Sequence, residues 1–408
     1  MGLLEHYIST DGDTTDTQGT YDAAVSTSAP CSLTVAMKYA VPSDRINIKS
    51  GTYTRTAADA FAHAPTVGGP IILRGVDSSW NPIVPTRNAT TGVLSAVSLP
   101  VIAYSGDGKY LNIGTYGLAD SLSISGSNGN NNGNIAGGCC VNCVITGSSQ
   151  ASVRGSKLVN CDIATIAGGA FCCYGCKAYY CRITPAAGDT GMLGNSAFGC
   201  LFIGGAYGID DGDATMLEVV GCTFYGQTTA AIREYNGSRT TLYVYANNSI
   251  TDCAQAFVNP YGGTEAHAAV RSFNRTRDNT AADSGYGDWP IMNGITTDAG
   301  GAETDYVNAG GGDFHLIPSS PANGAGPFPK ICCGALQGPF GVWPAVGKVS
   351  DTLVTAFGPT GTEFYGTRTD ADKADVKAGV KYGDPDDQLT GELVAGGGVR
   401  RGGAMRGA

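Results

Sequence analysis

The middle of the chain is built from short alternations of apolar and polar residues, with no sustained helical stripe. Six pentads recur in one register: Val141-Asn142-Cys143-Val144-Ile145, Val159-Asn160-Cys161-Asp162-Ile163, Tyr179-Tyr180-Cys181-Arg182-Ile183, Phe198-Gly199-Cys200-Leu201-Phe202, Val220-Gly221-Cys222-Thr223-Phe224 and Ala246-Asn247-Asn248-Ser249-Ile250. In a strand, the first, third and fifth residues share a face. That face reads apolar, then Cys (Asn in the last pentad), then Ile or Phe, while the other is mixed and mostly polar. The central positions 143, 161, 181, 200, 222 and 248 are separated by 18, 20, 19, 22 and 26 residues. A repeat of this length that tolerates insertions predicts a parallel β-helix, with each coil stacked about 4.8 Å from the last and the inserts leaving at corners. Cys143, Cys161, Cys181, Cys200 and Cys222 then form an inward ladder of small, readily buried thiols. Asn248 is its polar rung, with an amide able to bond neighbouring backbone.

Upstream, Ile46 and Ile48 alternate before Gly51-Thr52-Tyr53-Thr54, and Pro70-Ile71-Ile72-Leu73-Arg74-Gly75 follows. Ahead of them, Ser32 is placed to N-cap a short helix with Leu33, Met37 and Ala40 on one side. Such a helix suits the open first rung, where a bare solenoid end would expose core and unpaired edges.

Composition sharpens this picture. The 408 residues include 61 Gly and 14 Cys with only 15% charged residues, which disfavours helical bundles and favours many short strands joined by tight turns. The net charge of −10 argues against a nucleic-acid partner, which would need clustered Lys and Arg. No apolar run is long enough to cross a bilayer, so no membrane partner is expected. The opening residues lack the basic and apolar regions of a secretory signal, which predicts synthesis in a reducing compartment and free thiols. Cys140-x-x-Cys143 and Cys173-x-x-Cys176 offer a rival zinc reading, but the 29 residues between them exceed ribbon spacing and Cys143 already belongs to the ladder.

Two segments carry a family resemblance. "DRINIKSGTYT" followed by "GGPIILRGV" resembles the opening coils of right-handed parallel β-helix proteins of the pectate-lyase-like superfamily. Asp313-Phe314-His315-Leu316, Ser320-Pro321-Ala322 and Gly324-Ala325-Gly326 are similar to the closing segment of such proteins. The resemblance covers about residues 5 to 340 and implies an all-β fold, a right-handed single-stranded parallel β-helix. The expected organisation is an N-terminal cap over 1–45, the β-helix over 46–342 and a small β-rich module over 343–408. The last 61 residues carry 17 charges against 43 in the preceding 347, which marks the module as distinct. Its "ADVKAGVKYG…LTGEL" wording resembles short terminal segments of phage-like structural proteins.

Such folds host lyases, hydrolases, epimerases and non-catalytic viral spikes, so function must come from a site. The resemblance implies calcium-holding carboxylates with a Lys or Arg base for a lyase, or an acid and base pair for a hydrolase. Asp210, Asp211 and Asp213 are the candidate calcium ligands, in competition with ordinary Asp/Gly turn chemistry. Arg233, Glu234 and Asp211 are the candidate catalytic groups, because the repeat lengthens between Cys222 and Asn248 and the extra residues must leave as a loop. Tyr235, Tyr243 and Tyr245 are the candidate sugar-stacking residues. No cofactor beyond that calcium is expected.

The leading reading is a non-catalytic virion protein, a phage tail spike, fibre or capsid-decorating protein, presenting the solenoid for glycan attachment or particle stabilisation. It would meet other virion proteins through residues 343–408 and, by resemblance to spikes, assemble as a homotrimer on the virion, with an extracellular location as the alternative. The rival reading is a polysaccharide lyase or glycoside hydrolase acting on an acidic surface polysaccharide.

Overall fold

A computed structural model describes residues 4–320 except 89, 107–108, 127–133, 148–150, 167–170, 195, 213–215, 235–241, 260–267, 273, 278, 280–290, 293–294, 298–304 and 318–319. Beyond 320 it describes four strands. The chain divides into two units, Met1–Ala345 and Val346–Ala408. Within the second, Val354–Phe357 pairs antiparallel with Glu363–Gly366, and Lys381–Tyr382 with Leu389–Thr390.

Among the described residues of the first unit, three parallel sheets of twelve, eleven and nine strands are built from every third strand of the chain, apart from the end strands of the two larger sheets. This is the parallel β-helix that the repeat and the resemblance imply. Sheet A runs from Glu5–Asp13 to Ile291–Met292, sheet B from Thr52–Arg55 to Ile295–Thr297, and sheet C from Asp59–Ala60 to Phe257–Val258.

The ladder is continuous. The N–H of Cys161 donates to Cys181 Sγ (3.5 Å), Cys181 to Cys200 Sγ (3.4 Å), Cys200 to Cys222 Sγ (3.4 Å), and Cys222 to Asn248 Oδ1 (2.9 Å). Asn248 in turn donates to Asn274 Oδ1 (3.1 Å), a further rung that the pentads do not include. The twelve described cysteines are all buried and free, none in a disulfide. Burial pushes Cys139, Cys172 and Cys253 up to about 12, so they stay thiols at neutral pH.

One expectation needs correction: the pentads are corners between sheets A and B and are not single strands. Asn142, Asn160, Tyr180 and Asn247 have φ between 52° and 57°, and Gly199 and Gly221 have 59° and 64°. This left-handed region is open to Gly and tolerated by Asn. The turn shifts the inward phase by one residue. The inward partners upstream of the ladder are therefore Cys140, Leu158, Ala178, Ala197, Val219 and Tyr245, all within the core. Val141, Val159, Tyr179 and Phe198 stand on the outer side, where the Tyr179 and Phe198 rings stack at 5.2 Å.

Ser32 caps the helix Leu33–Tyr39 through the N–H of Val35, and Leu33, Val35, Ala36 and Met37 join the core beside Ile8, Ile46 and Ile48. A second short helix, Gln18–Ala23, is capped by Thr17.

Two segments pack on the outside of the coils. In the segment after Val76, Trp80 packs on sheet A and Arg87 on the A–B corner. Trp80 meets Tyr7 edge-on at 5.1 Å, Arg87 Nε donates to Asn160 Oδ1 (2.8 Å), and Arg87 Nη1 pairs with Asp162 at 2.6 Å. At the other end, the antiparallel pair Tyr306–Asn308 and Asp313–Leu316 packs on sheet B. Phe314 lies 5.1 Å from Tyr225, the Tyr306 hydroxyl bonds Ser249, and Arg275 pairs with Asp305 at 3.3 Å.

Candidate functional site: the outer face of sheet C

Sheets A and B carry these coverings, whereas the outer face of sheet C presents a strip of aromatic and charged side chains. Parallel pairing in register stacks one residue per coil into a column. The column begins Ala60, Asn112, Ala136, Arg154 and Tyr174, and continues through Leu193, Asp210, Arg233 and Val258. Phe171, Thr190 and Tyr207 stack in a second column beside it. Tyr174 is 40% exposed, the largest accessible aromatic surface of the strip's central coils.

Guanidinium groups sit over the aromatic rings. Arg154 lies 5.0 Å from the Tyr174 ring centroid and Arg233 4.2 Å from that of Tyr207, both within cation–π range. Arg233 also donates through Nη1 to the Tyr207 hydroxyl (3.2 Å) and through Nε to Asp210 Oδ2 (3.0 Å). Burial works to lower the Arg233 pKa, but the hydrogen bond and charge of Asp210 outweigh it and raise the pKa. Arg233 is thereby a fixed cation and hydrogen-bond donor. A proton acceptor needs the neutral form, which this setting works against.

The expected site residues separate in space. Asp210 and Arg233 meet on the strip. Asp211, one residue further, is fully buried and accepts the Tyr243 hydroxyl at 2.6 Å. Glu234 is buried beside Asn259, whose amide lies 3.5 Å from Oε2. Tyr243 and Tyr245 are inward core residues stacked 6.0 Å apart, so neither ring offers a face to a sugar. Their strand is in phase with the core because Asn247, not Tyr245, turns the corner. Asp213 and Tyr235 lie outside the described residues.

Calcium takes six to eight oxygen ligands. Asp210 is engaged by Arg233 and Asp211 by Tyr243, and no group of three or more metal-ligating side chains forms among the described residues. The described residues therefore do not fit the ion. Cys140, Cys143, Cys173 and Cys176 belong to the hydrophobic core.

Sequence reasoning overlooked Arg154, Phe171, Tyr174 and Tyr207. A signal exists for two of them: Arg154 and Tyr174 each precede a ladder cysteine by seven residues, as Leu193 does. That constant offset marks one column of the third sheet.

Neither a family model nor a curated protein matches the chain. Among solved structures, it is similar to pectate lyase Pel9A at 13% identity, over 82% of this chain and 96% of that one, with a TM-score of 0.47. It is also similar to an alginate lyase from Paenibacillus sp. str. FPU-7 at 14% identity, over 65% and 96%, with a TM-score of 0.32. A GH136 lacto-N-biosidase from Eubacterium ramulus matches at 11% identity, over 72% and 67%, with a TM-score of 0.34.

Proposed function

We propose that the protein holds a linear polysaccharide along the outer face of sheet C. The observation that carries this reading is the rung-by-rung strip of Arg154, Phe171, Tyr174, Tyr207 and Arg233, partly open to solvent on a rigid parallel scaffold. Flat aromatic surfaces with a polar edge suit sugar rings, and fixed guanidinium donors suit hydroxyl oxygens. From Asn112 to Arg233 the column makes six inter-coil steps, roughly 29 Å at the usual strand spacing. That length accommodates several sugar units in a row.

Depolymerisation is the form of this reading we favour, because the buried Asp210 carboxylate fixes the Arg233 guanidinium on the strip as a permanent cation. A guanidinium held in this way can stabilise negative charge developing on a sugar oxygen, with Asp210 as its positioning partner. Display on a particle through residues 343–408, as a trimeric spike, is the non-catalytic form. A panel of polysaccharides assayed for new reducing ends and unsaturated uronides separates the two. Turnover that falls at least about 100-fold in Asp210→Asn and Arg233→Ala is expected for an enzyme with these groups in its site. Binding without turnover would leave the attachment form, and neither binding nor turnover would overturn the proposal.

A further inference from the structure

The strip does not stop at Arg154. Its first two rungs, Ala60 and Asn112, form one wall of an open cleft of about 420 Å³ that is otherwise lined by Phe61, Pro65, Thr115 and Tyr116 among others. Tyr116 is 46% exposed, and Phe61 is partly buried against the core, which steadies its ring. The Asn112 side-chain oxygen accepts the Gly114 N–H at 2.9 Å, which fixes the amide in the cleft wall. No lining side chain carries a charge.

We infer that the glycan held on sheet C is neutral or sparsely charged, and that its end beyond Arg154 stacks in the cleft between Phe61 and Tyr116. This rests on the proposed reading of the strip. A polyuronate carries a carboxylate on every sugar, and each one desolvated against the strip without a cation beside it costs free energy. Over its nine rungs the column offers only Arg154 and Arg233, and Arg233 is already neutralised by Asp210. The protein as a whole has a net charge of −10, which repels a polyanion on approach. Aromatic stacking and amide hydrogen bonds at the cleft ask for no charge on the ligand. The cleft also sets a length requirement, because only a chain long enough to pass Ala136 reaches both Tyr174 and Tyr116.

Titration calorimetry tests this with two ladders of defined length, neutral hexose oligomers (glucan, mannan and galactan) and polygalacturonate oligomers, each in low and high NaCl. Neutral oligomers are expected to bind with affinity that rises with length and changes less than about twofold with salt. Phe61→Ala and Tyr116→Ala are expected to weaken the long oligomers about tenfold and leave the short ones unchanged, whereas Tyr174→Ala weakens both. Tighter binding of the polygalacturonate ladder, with steep loss in salt, overturns the inference while keeping the strip. Equal losses for short and long oligomers in the cleft variants overturn the cleft assignment. Unchanged binding of every ligand by Tyr174→Ala, or no binding of either ladder, overturns the strip reading and the inference with it.

Discussion

Asp305→Ala is expected to lower the unfolding free energy by about 3–5 kcal/mol, because it leaves the Arg275 guanidinium buried without its carboxylate. Both side chains are fully excluded from water, and Asp305 also accepts the Ser320 hydroxyl at 3.0 Å and, through its backbone oxygen, the Ile317 N–H at 3.0 Å. The pair thus fastens the closing hairpin to the outside of sheet B. Replacing both partners by apolar residues, Arg275→Met with Asp305→Leu, is expected to recover much of the loss, since the desolvation cost disappears with the charges. In a solenoid each coil is stabilised chiefly by its neighbours. The effect should therefore be largest in the coils around Thr223, Ser249 and Arg275, as read by amide exchange alongside denaturant midpoints. A loss below about 1 kcal/mol would mean that the hairpin is not held by this pair.

Asn248→Leu is expected to cost about 3 kcal/mol. The Asn248 amide accepts the Cys222 N–H and donates to Val219 O and Asn274 Oδ1, each at 2.9 Å. Leu would leave a buried donor and two buried acceptors short of partners. Asn248→Cys should cost about 1 kcal/mol, because a thiol at this rung can receive the N–H as Cys222 Sγ receives that of Cys200. Thermal unfolding of the two variants separates the explanations. Equal costs would show that the site needs volume and not a hydrogen-bond acceptor.

The repeat was legible because the coil spacing and the ladder residue are written locally, once per turn, in Cys143 through Asn248. The phase of the inner face was not, although its signal was present. Asn and Gly at the second pentad position mark a left-handed corner, and reading them as strand residues put Val141 and Tyr179 on the wrong side. The longer spacing between Cys222 and Asn248 suggests a loop around Tyr243 and Tyr245, but strand Leu242–Ala246 continues sheet A and turns both rings into the core. Segment 77–100 offers little periodicity, and its docking depends on Arg87 meeting Asp162, 75 residues away in sequence. No local pattern encodes such a contact. The candidate site was half legible: Asp210 and Arg233 stand out as charges near a lengthened repeat. Arg154, Tyr174 and Tyr207 gain meaning only when successive coils are laid in register.

Hydroxyl-radical footprinting of the protein with and without a bound neutral oligosaccharide tests the central claim most directly, because the outer faces carry distinguishable aromatic side chains. Protection is expected at Phe171, Tyr174 and Tyr207 on sheet C and at Tyr116 in the cleft, with Trp80 beside sheet A unchanged. Protection confined to Trp80, or to residues of the closing hairpin, with Tyr174 as reactive as in the free protein, would contradict it.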